Sequence, residues 1–127
     1  MVEVASLVVF AADLDKTAAF YRAVGLDLEL EDHGSGPVHF AAEVDSVHFA
    51  VYPADSAGRA PARRAAGGSF PGFYVESLDD TTTALVDLGT PFLQQHQDMP
   101  WGCRVVVTDP DGRPVEVNQR GHCSPAP

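Results

Sequence analysis

Apolar residues along this chain follow a strand-like spacing, then a helix-like spacing, then three short strand-like runs, and the cycle occurs twice. The first cycle opens on the apolar run Val2 to Ala11. Asp13 then stands as N-cap to a helix whose apolar residues Leu14, Ala18, Tyr21 and Val24 recur at helical spacing, with Gly25 as its stop. Leu28 to Glu31, Val38 to Val44 and Ser46 to Tyr52 read as three short strands. The second cycle opens on Phe70 to Val75. Ser77 caps the next helix, Asp79 and Asp80 sit in its first turn where the helix dipole favours them, and Gly89 ends it. Three strands again follow, over Phe92 to Gln97, Cys103 to Thr108 and Pro114 to Gln119.

The last two strands flank Asp109-Pro110-Asp111-Gly112. Asp opens such a turn through its side-chain oxygen, Pro presets φ at the next position, and Gly supplies the positive φ that other residues resist. The order is β-α-β-β-β twice, with hairpin connections outnumbering helices, which predicts an α+β fold and not a doubly wound sheet. Such halves are expected to carry curled, mixed sheets around a cleft. The chain reads as a single domain over 1–127, with modules at about 3–52 and 70–119. The Ala/Gly/Arg-rich stretch 53–69 reads as a mobile linker and the polar, Pro-containing segment 120–127 as a disordered tail.

Composition narrows the function classes. A length of 127 residues suffices for a real core, and 45% hydrophobic with 20% charged residues suits a soluble domain. A net charge of −10 disfavours nucleic acid and anionic membrane surfaces as partners and is compatible with cationic ligands. The N-terminal stretch lacks the marks of a signal peptide, and no apolar run is long enough to span a bilayer. Cys103 and Cys123 are the two cysteines; they are read as free thiols, which places the protein in a reducing cytoplasm.

The candidate chemistry gathers near the end of the chain. Glu116 is the one acidic residue of the last apolar strand, and a carboxylate on an inward strand face needs a cation, a metal or hydrogen-bond donors. Arg104 lies on the preceding strand, and its pairing with Glu116 is the competing structural reading of both. Trp101 sits in a Pro-Trp-Gly loop, a placement that favours a binding role. Strand alternation sets Val4, Ser6, Val8 and Phe10 on one face, and Phe70, Gly72 and Tyr74 on the matching face of the second module. Of the histidines, His33 and His122 are expected to face solvent, His96 to approach the Trp101 segment, and His39 and His48 to face each other across neighbouring strands. There is no phosphate loop, no G-x-S-x-G and no H-E-x-x-H, and DPDG lacks the flanking acids of a calcium loop.

Taken together and in order, three segments resemble the vicinal oxygen chelate superfamily, also called glyoxalase/bleomycin resistance/dioxygenase. They are VVFAADLDKTAAFYRAVGL at Val8 to Leu26, the strand-helix-Gly pattern of Phe70 to Gly89, and PWGCR followed by DPDGRPVEV. The resemblance covers about residues 3 to 119 and implies paired βαβββ modules enclosing a pocket, often in homodimers whose pockets use both chains. Metal-using relatives place His or Glu at four inward strand positions. Here these fall on Ser6, on Phe70, on Glu116, and on Phe49 or Ala50, with a one-residue slip giving His48. One or two ligands fall short of the three that catalytic divalent sites use, so no metal and no cofactor are expected. A zinc or copper site from His39, His48 and Glu116 is the alternative. The resemblance implies a metal-free protein that sequesters an aromatic or cationic, antibiotic-like small molecule, closest to bleomycin-resistance-type members. Phe10, Phe49, Phe70, Tyr74, Trp101, Arg104 and Glu116 would line the pocket, with Phe40 nearby, and no residue would be catalytic; core packing is the alternative reading of Phe10, Phe40 and Phe49. The competing reading is a lyase, isomerase or dioxygenase with Glu116 as general base; a non-catalytic regulatory domain is a third class.

Overall fold

Two side-chain oxygens start the two helices. In the computed structural model, which describes residues 4–32, 34, 36–54, 69–121 and 123, the chain forms two compact units, Met1–Ala62 and Arg63–Pro127. The predicted linker lies almost wholly outside the described residues, as do His33 and His122. Among the described residues no helix is long and apolar enough to cross a membrane.

The N-terminal unit runs β1 (Ser6–Ala11), α1 (Leu14–Val24), β2 (Glu29–Glu31), β3 (His39–Val44) and β4 (Val47–Pro53). The Asp13 side chain accepts the Lys16 N–H at 3.0 Å, and the Gly25 N–H closes the last turn on the Tyr21 and Arg22 carbonyls. The sheet order is β1-β4-β3-β2, with β1 parallel to β4 and the other pairs antiparallel. Pairing of Leu7 with Phe49, Val9 with Val51 and Phe40 with Val51 gathers these side chains on the face toward α1. The Tyr21 and Phe49 rings meet there at 5.0 Å, and the Arg22 guanidinium lies 4.8 Å from the centre of the Phe40 ring. Phe49 is 1% exposed. The expectation that Phe49, with Phe40 beside it, lines a ligand pocket is therefore corrected: period-2 alternation turns both toward the helix, where they form core.

The C-terminal unit runs β5 (Gly72–Tyr74), α2 (Leu78–Asp87), β6 (Phe92–Met99), β7 (Gly102–Thr108) and β8 (Pro114–Arg120). Its order, β5-β8-β7-β6, repeats that of the first unit, again with the first and last strands parallel. Ser77 accepts the Asp80 N–H at 3.2 Å, and the Leu78 N–H reaches the Gln119 side chain at 2.7 Å, tying the helix start to β8. Cys103, Val105, Val107, Val115 and Val117 share the Gln119 face and are buried. The two predicted βαβββ modules are thus present as mixed α+β units.

The DPDG turn is held more firmly than turn chemistry alone requires. The Gly112 N–H donates to the Asp109 carbonyl at 2.9 Å with Gly112 at φ 87°, and Asp109 Oδ1 accepts the N–H groups of Asp111 and Arg113. Asp109 Oδ2 lies 2.7 Å from Arg113 Nη1, and both side chains are buried. The sequence reading did not find this pair.

The cysteines require a second correction. Cys103 and Cys123 form a disulfide, with their Cα atoms 6.0 Å apart. Residues 20 apart meet because the β7–β8 hairpin doubles back and brings the chain after β8 alongside the start of β7. The inference from free thiols to a reducing compartment loses its premise. The predicted tail is likewise ordered at its start: β8 extends to Arg120 and the Gly121 N–H donates to the Trp101 carbonyl at 3.0 Å. Residues 124–127 lie outside the described residues.

Candidate functional site

On the face of the C-terminal sheet away from α2, four polar side chains form a hydrogen-bonded row. The hairpin register sets Arg104 opposite Asn118 and Val106 opposite Glu116, so Arg104 reaches Glu116 diagonally. Arg104 Nε donates to Gln97 Oε1 at 3.0 Å, and Arg104 Nη1 lies 2.5 Å from Glu116 Oε2. Asn118 Nδ2 donates to Glu116 Oε1 at 2.8 Å and approaches the Phe73 carbonyl at 3.4 Å. Arg104 and Glu116 are each 22% exposed, so the pair sits partly out of water, where a charge-assisted bond is stronger than at a free surface. Gly72 stands opposite Glu116 on β5, and a Cβ there would come within 3.2 Å of Glu116 Oε1. The missing side chain leaves the carboxylate its room.

Both Glu116 oxygens already accept hydrogen bonds and its charge is met by Arg104. This weakens the readings of Glu116 as a cation anchor and as a general base. The leftover acceptor of the row is Asn118 Oδ1, which is buried without a partner among the described residues; an ordered water would satisfy it.

The exposed aromatics flank this row. Tyr74 is paired with Asn118 on β5 and is 51% exposed, and the Arg120 guanidinium lies 3.6 Å from its ring centre. Phe70, just before β5, is 57% exposed. Trp101 occupies the turn between β6 and β7. There it lines a hollow with Asp98, Met99, Pro100, Gly102, Gly121 and Cys123, none of them in the polar row. Gly102 is required at this turn, since a Cβ would overlap the Gln119 carbonyl oxygen.

Phe10 lies on the face of the N-terminal sheet away from α1, tilted against Tyr52 at 6.4 Å, and Tyr52 in turn stacks on His39 at 4.2 Å. The same face carries Glu29, Glu31, Glu43 and His48. His39 Nδ1 lies 3.1 Å from the Pro37 carbonyl, which can only accept, so Nδ1 carries a proton. His39 Nε2 lies 3.3 Å from Glu31, and His48 Nδ1 lies 2.7 Å from Glu43. Glu116 is thus paired with Arg104 and Asn118, and His39 and His48 lie against neighbouring carboxylates of their own sheet. Among the described residues no group of three or more His, Cys, Asp or Glu is arranged to hold a metal ion. His96 pairs with Asp98 at 3.0 Å.

Strand pairing resolves the register left open by the sequence. Gly72 pairs with Glu116 two residues after Phe70, and Val8 pairs with Ala50 two residues after Ser6. The N-terminal counterpart of Glu116 is therefore Ala50, while His48 pairs with Ser6. Of the four positions, Ser6, Ala50, Phe70 and Glu116, only the last is a His or Glu. The sequence reading overlooked Gln97, Asn118 and Arg120. Two were accessible to alternation, because Asn118 and Arg120 follow Glu116 at two-residue steps. Gln97 was not, because β6 shifts register against β7 on either side of Gln94.

Comparison with known proteins agrees with this architecture. No curated protein matches the chain. Among solved structures, TnmS3, an antibiotic-binding protein from Streptomyces sp. CB03234, superposes with a TM-score of 0.71 at 20% identity, covering 95% of this chain and 98% of its own. A lactoylglutathione lyase from Agrobacterium tumefaciens gives 0.62 at 26% identity, with 92% of each chain covered. A glyoxalase/bleomycin resistance protein/dioxygenase family enzyme from Burkholderia phytofirmans PsJN gives 0.69 at 14% identity, covering 94% of this chain and all of its own (100%). The family profile matches residues 3–117, and the chain belongs to the glyoxalase/bleomycin resistance protein/dioxygenase superfamily.

Proposed function

We propose that this protein binds an aromatic small molecule on the C-terminal sheet, sequestering it without a metal at the family's ligand positions. The observation that carries this reading is the juxtaposition of exposed Tyr74 and Phe70 with a preorganised row of hydrogen-bonding side chains. An aromatic wall supplies stacking area and a few fixed polar groups supply orientation, which is the usual make-up of a small-molecule site. Similarity in fold to an antibiotic-binding protein supports the reading. Ser6, Ala50 and Phe70 in place of His or Glu support the absence of a metal there. Each sheet ends in edge strands, β1 and β2 in one and β5 and β6 in the other, and a two-fold homodimer is part of the proposal because it would shield such edges.

The test is a binding screen of planar aromatic compounds against wild type and Tyr74→Ala. Tyr74→Ala should weaken a genuine ligand by about 1 kcal/mol or more, with little change in melting temperature. Equal binding by the two proteins would reject this surface as the site. Metal analysis of protein purified without chelator should find no stoichiometric divalent ion, and light scattering should report a dimer.

A further inference from the structure

We infer that the ligand of this site is an anionic aromatic, not a cationic one; the inference rests on the proposed binding function and names its ligand class. The argument starts from the hydrogen-bonding capacity that the folded chain leaves over. In the row Gln97–Arg104–Glu116–Asn118, the unfilled acceptor is Asn118 Oδ1, and it is buried out of reach. The unfilled donors belong to side chains that are part-exposed, Arg104 and Gln97, or exposed, Arg120. Arg104 uses Nε on Gln97 and Nη1 on Glu116, and its Nη2 bonds to nothing among the described residues. The Gln97 amide accepts through Oε1, which leaves its N–H groups over. The exposed Arg120 guanidinium covers the Tyr74 ring and makes no hydrogen bond among the described residues.

Charge points the same way. On the face away from α2, strands β5, β7 and β8 carry Arg104, Arg120 and Glu116, two cations against one anion, in a chain whose net charge is −10. Arg104 lies opposite Asn118, and Arg120 lies two residues beyond Asn118 on the same face. Two guanidinium groups so spaced suit a carboxylate or phenolate, whose oxygens take planar N–H donors. Arg120 and Tyr74 together offer a flat platform on which the attached ring can stack. Screening at physiological ionic strength limits the repulsion from acidic residues that lie more than about 8–10 Å away. Glu116 then serves to hold Arg104 in place by its ion pair and to moderate its charge.

The experiment uses full-length protein and two matched probes, 2-naphthoate and 2-naphthylmethylammonium, titrated to millimolar concentration and followed by the amide resonances of β5, β7 and β8. Wild type should bind naphthoate at least about tenfold tighter than the ammonium, the scale of one charge-assisted hydrogen bond. Arg120→Gln should lose most of that preference. Glu116→Gln should gain, tightening naphthoate by about tenfold because Arg104 is freed from its counter-charge. A gain cannot come from misfolding, and each variant's melting curve is recorded alongside. Preference for the ammonium, or loss of ammonium binding in Glu116→Gln, would overturn the anionic assignment and leave aromatic binding standing. If neither probe shifts these resonances, the proposed function and this inference fall together.

Discussion

In the N-terminal sheet β1 runs parallel to β4 and hairpins complete the order β1-β4-β3-β2; in the C-terminal sheet β5, β8, β7 and β6 repeat it. Each has one helix against one face. The faces away from the helices differ. The N-terminal one carries Glu29, Glu31, Glu43 and two histidines, whereas the C-terminal one carries Arg104, Arg120, Glu116 and uncharged amides. The turns differ too. The β3–β4 turn is made by Asp45 and Ser46, both at positive φ, whereas the β7–β8 turn is anchored by a buried ion pair and lies within a disulfide loop. Identical wiring with different faces shows that the helix-side apolar pattern builds the module, while the other face is free to carry chemistry.

The sharpest way to break this comparison is to remove what only the C-terminal unit has. Arg113→Met removes the cation beside the buried Asp109 carboxylate, and should lower stability by about 3–5 kcal/mol, the cost of breaking a buried pair. Chemical denaturation would measure it, and a loss no larger than that of a surface pair would show that the turn does not depend on Arg113. Phe49→Ala should cost a similar amount, about 3–5 kcal/mol, while leaving the affinity of the C-terminal site unchanged. If Phe49→Ala instead abolished binding at unchanged stability, its assignment to the core would be wrong.

Cys123→Ser opens the loop closed by the disulfide and should destabilise by about 3 kcal/mol on the chain-entropy account, matched by reduction of the wild type with dithiothreitol. Insensitivity of the melting temperature to reductant would count against the bond. The smallest effect belongs to the N-terminal turn. Ser46→Gly should stabilise by about 0.5–1 kcal/mol, because glycine occupies the left-handed region at little steric cost. A destabilised variant would mean that the Ser46 side chain contributes more than its backbone strain costs.

Much of the fold was legible because it rests on local rules. Asp13, Ser77 and Gly25 mark helix ends by hydrogen bonds made within a few residues, and DPDG specifies its turn in the same way. The candidate site was legible in part. The pairing of Arg104 with Glu116 followed from two adjacent strands, and Tyr74 and Phe70 from alternation. Phe49 and Phe40 were misplaced because alternation says which residues share a face but not which face meets the helix. That choice is made by where the helix packs, through contacts such as Tyr21 with Phe49.

By itself the sequence determined the order of elements, their caps, the central turn and the family, since all of these are written in spacing and local hydrogen-bonding capacity. Only the tertiary structure decided that Ala50, and not His48 or Phe49, matches Glu116, that Cys103 and Cys123 are bonded, and that Arg113 neutralises Asp109. Those outcomes depend on strand register and on which distant side chains come within a few ångströms. A shift of one residue would turn every side chain of a strand to the opposite face, and no local pattern in this chain excluded it.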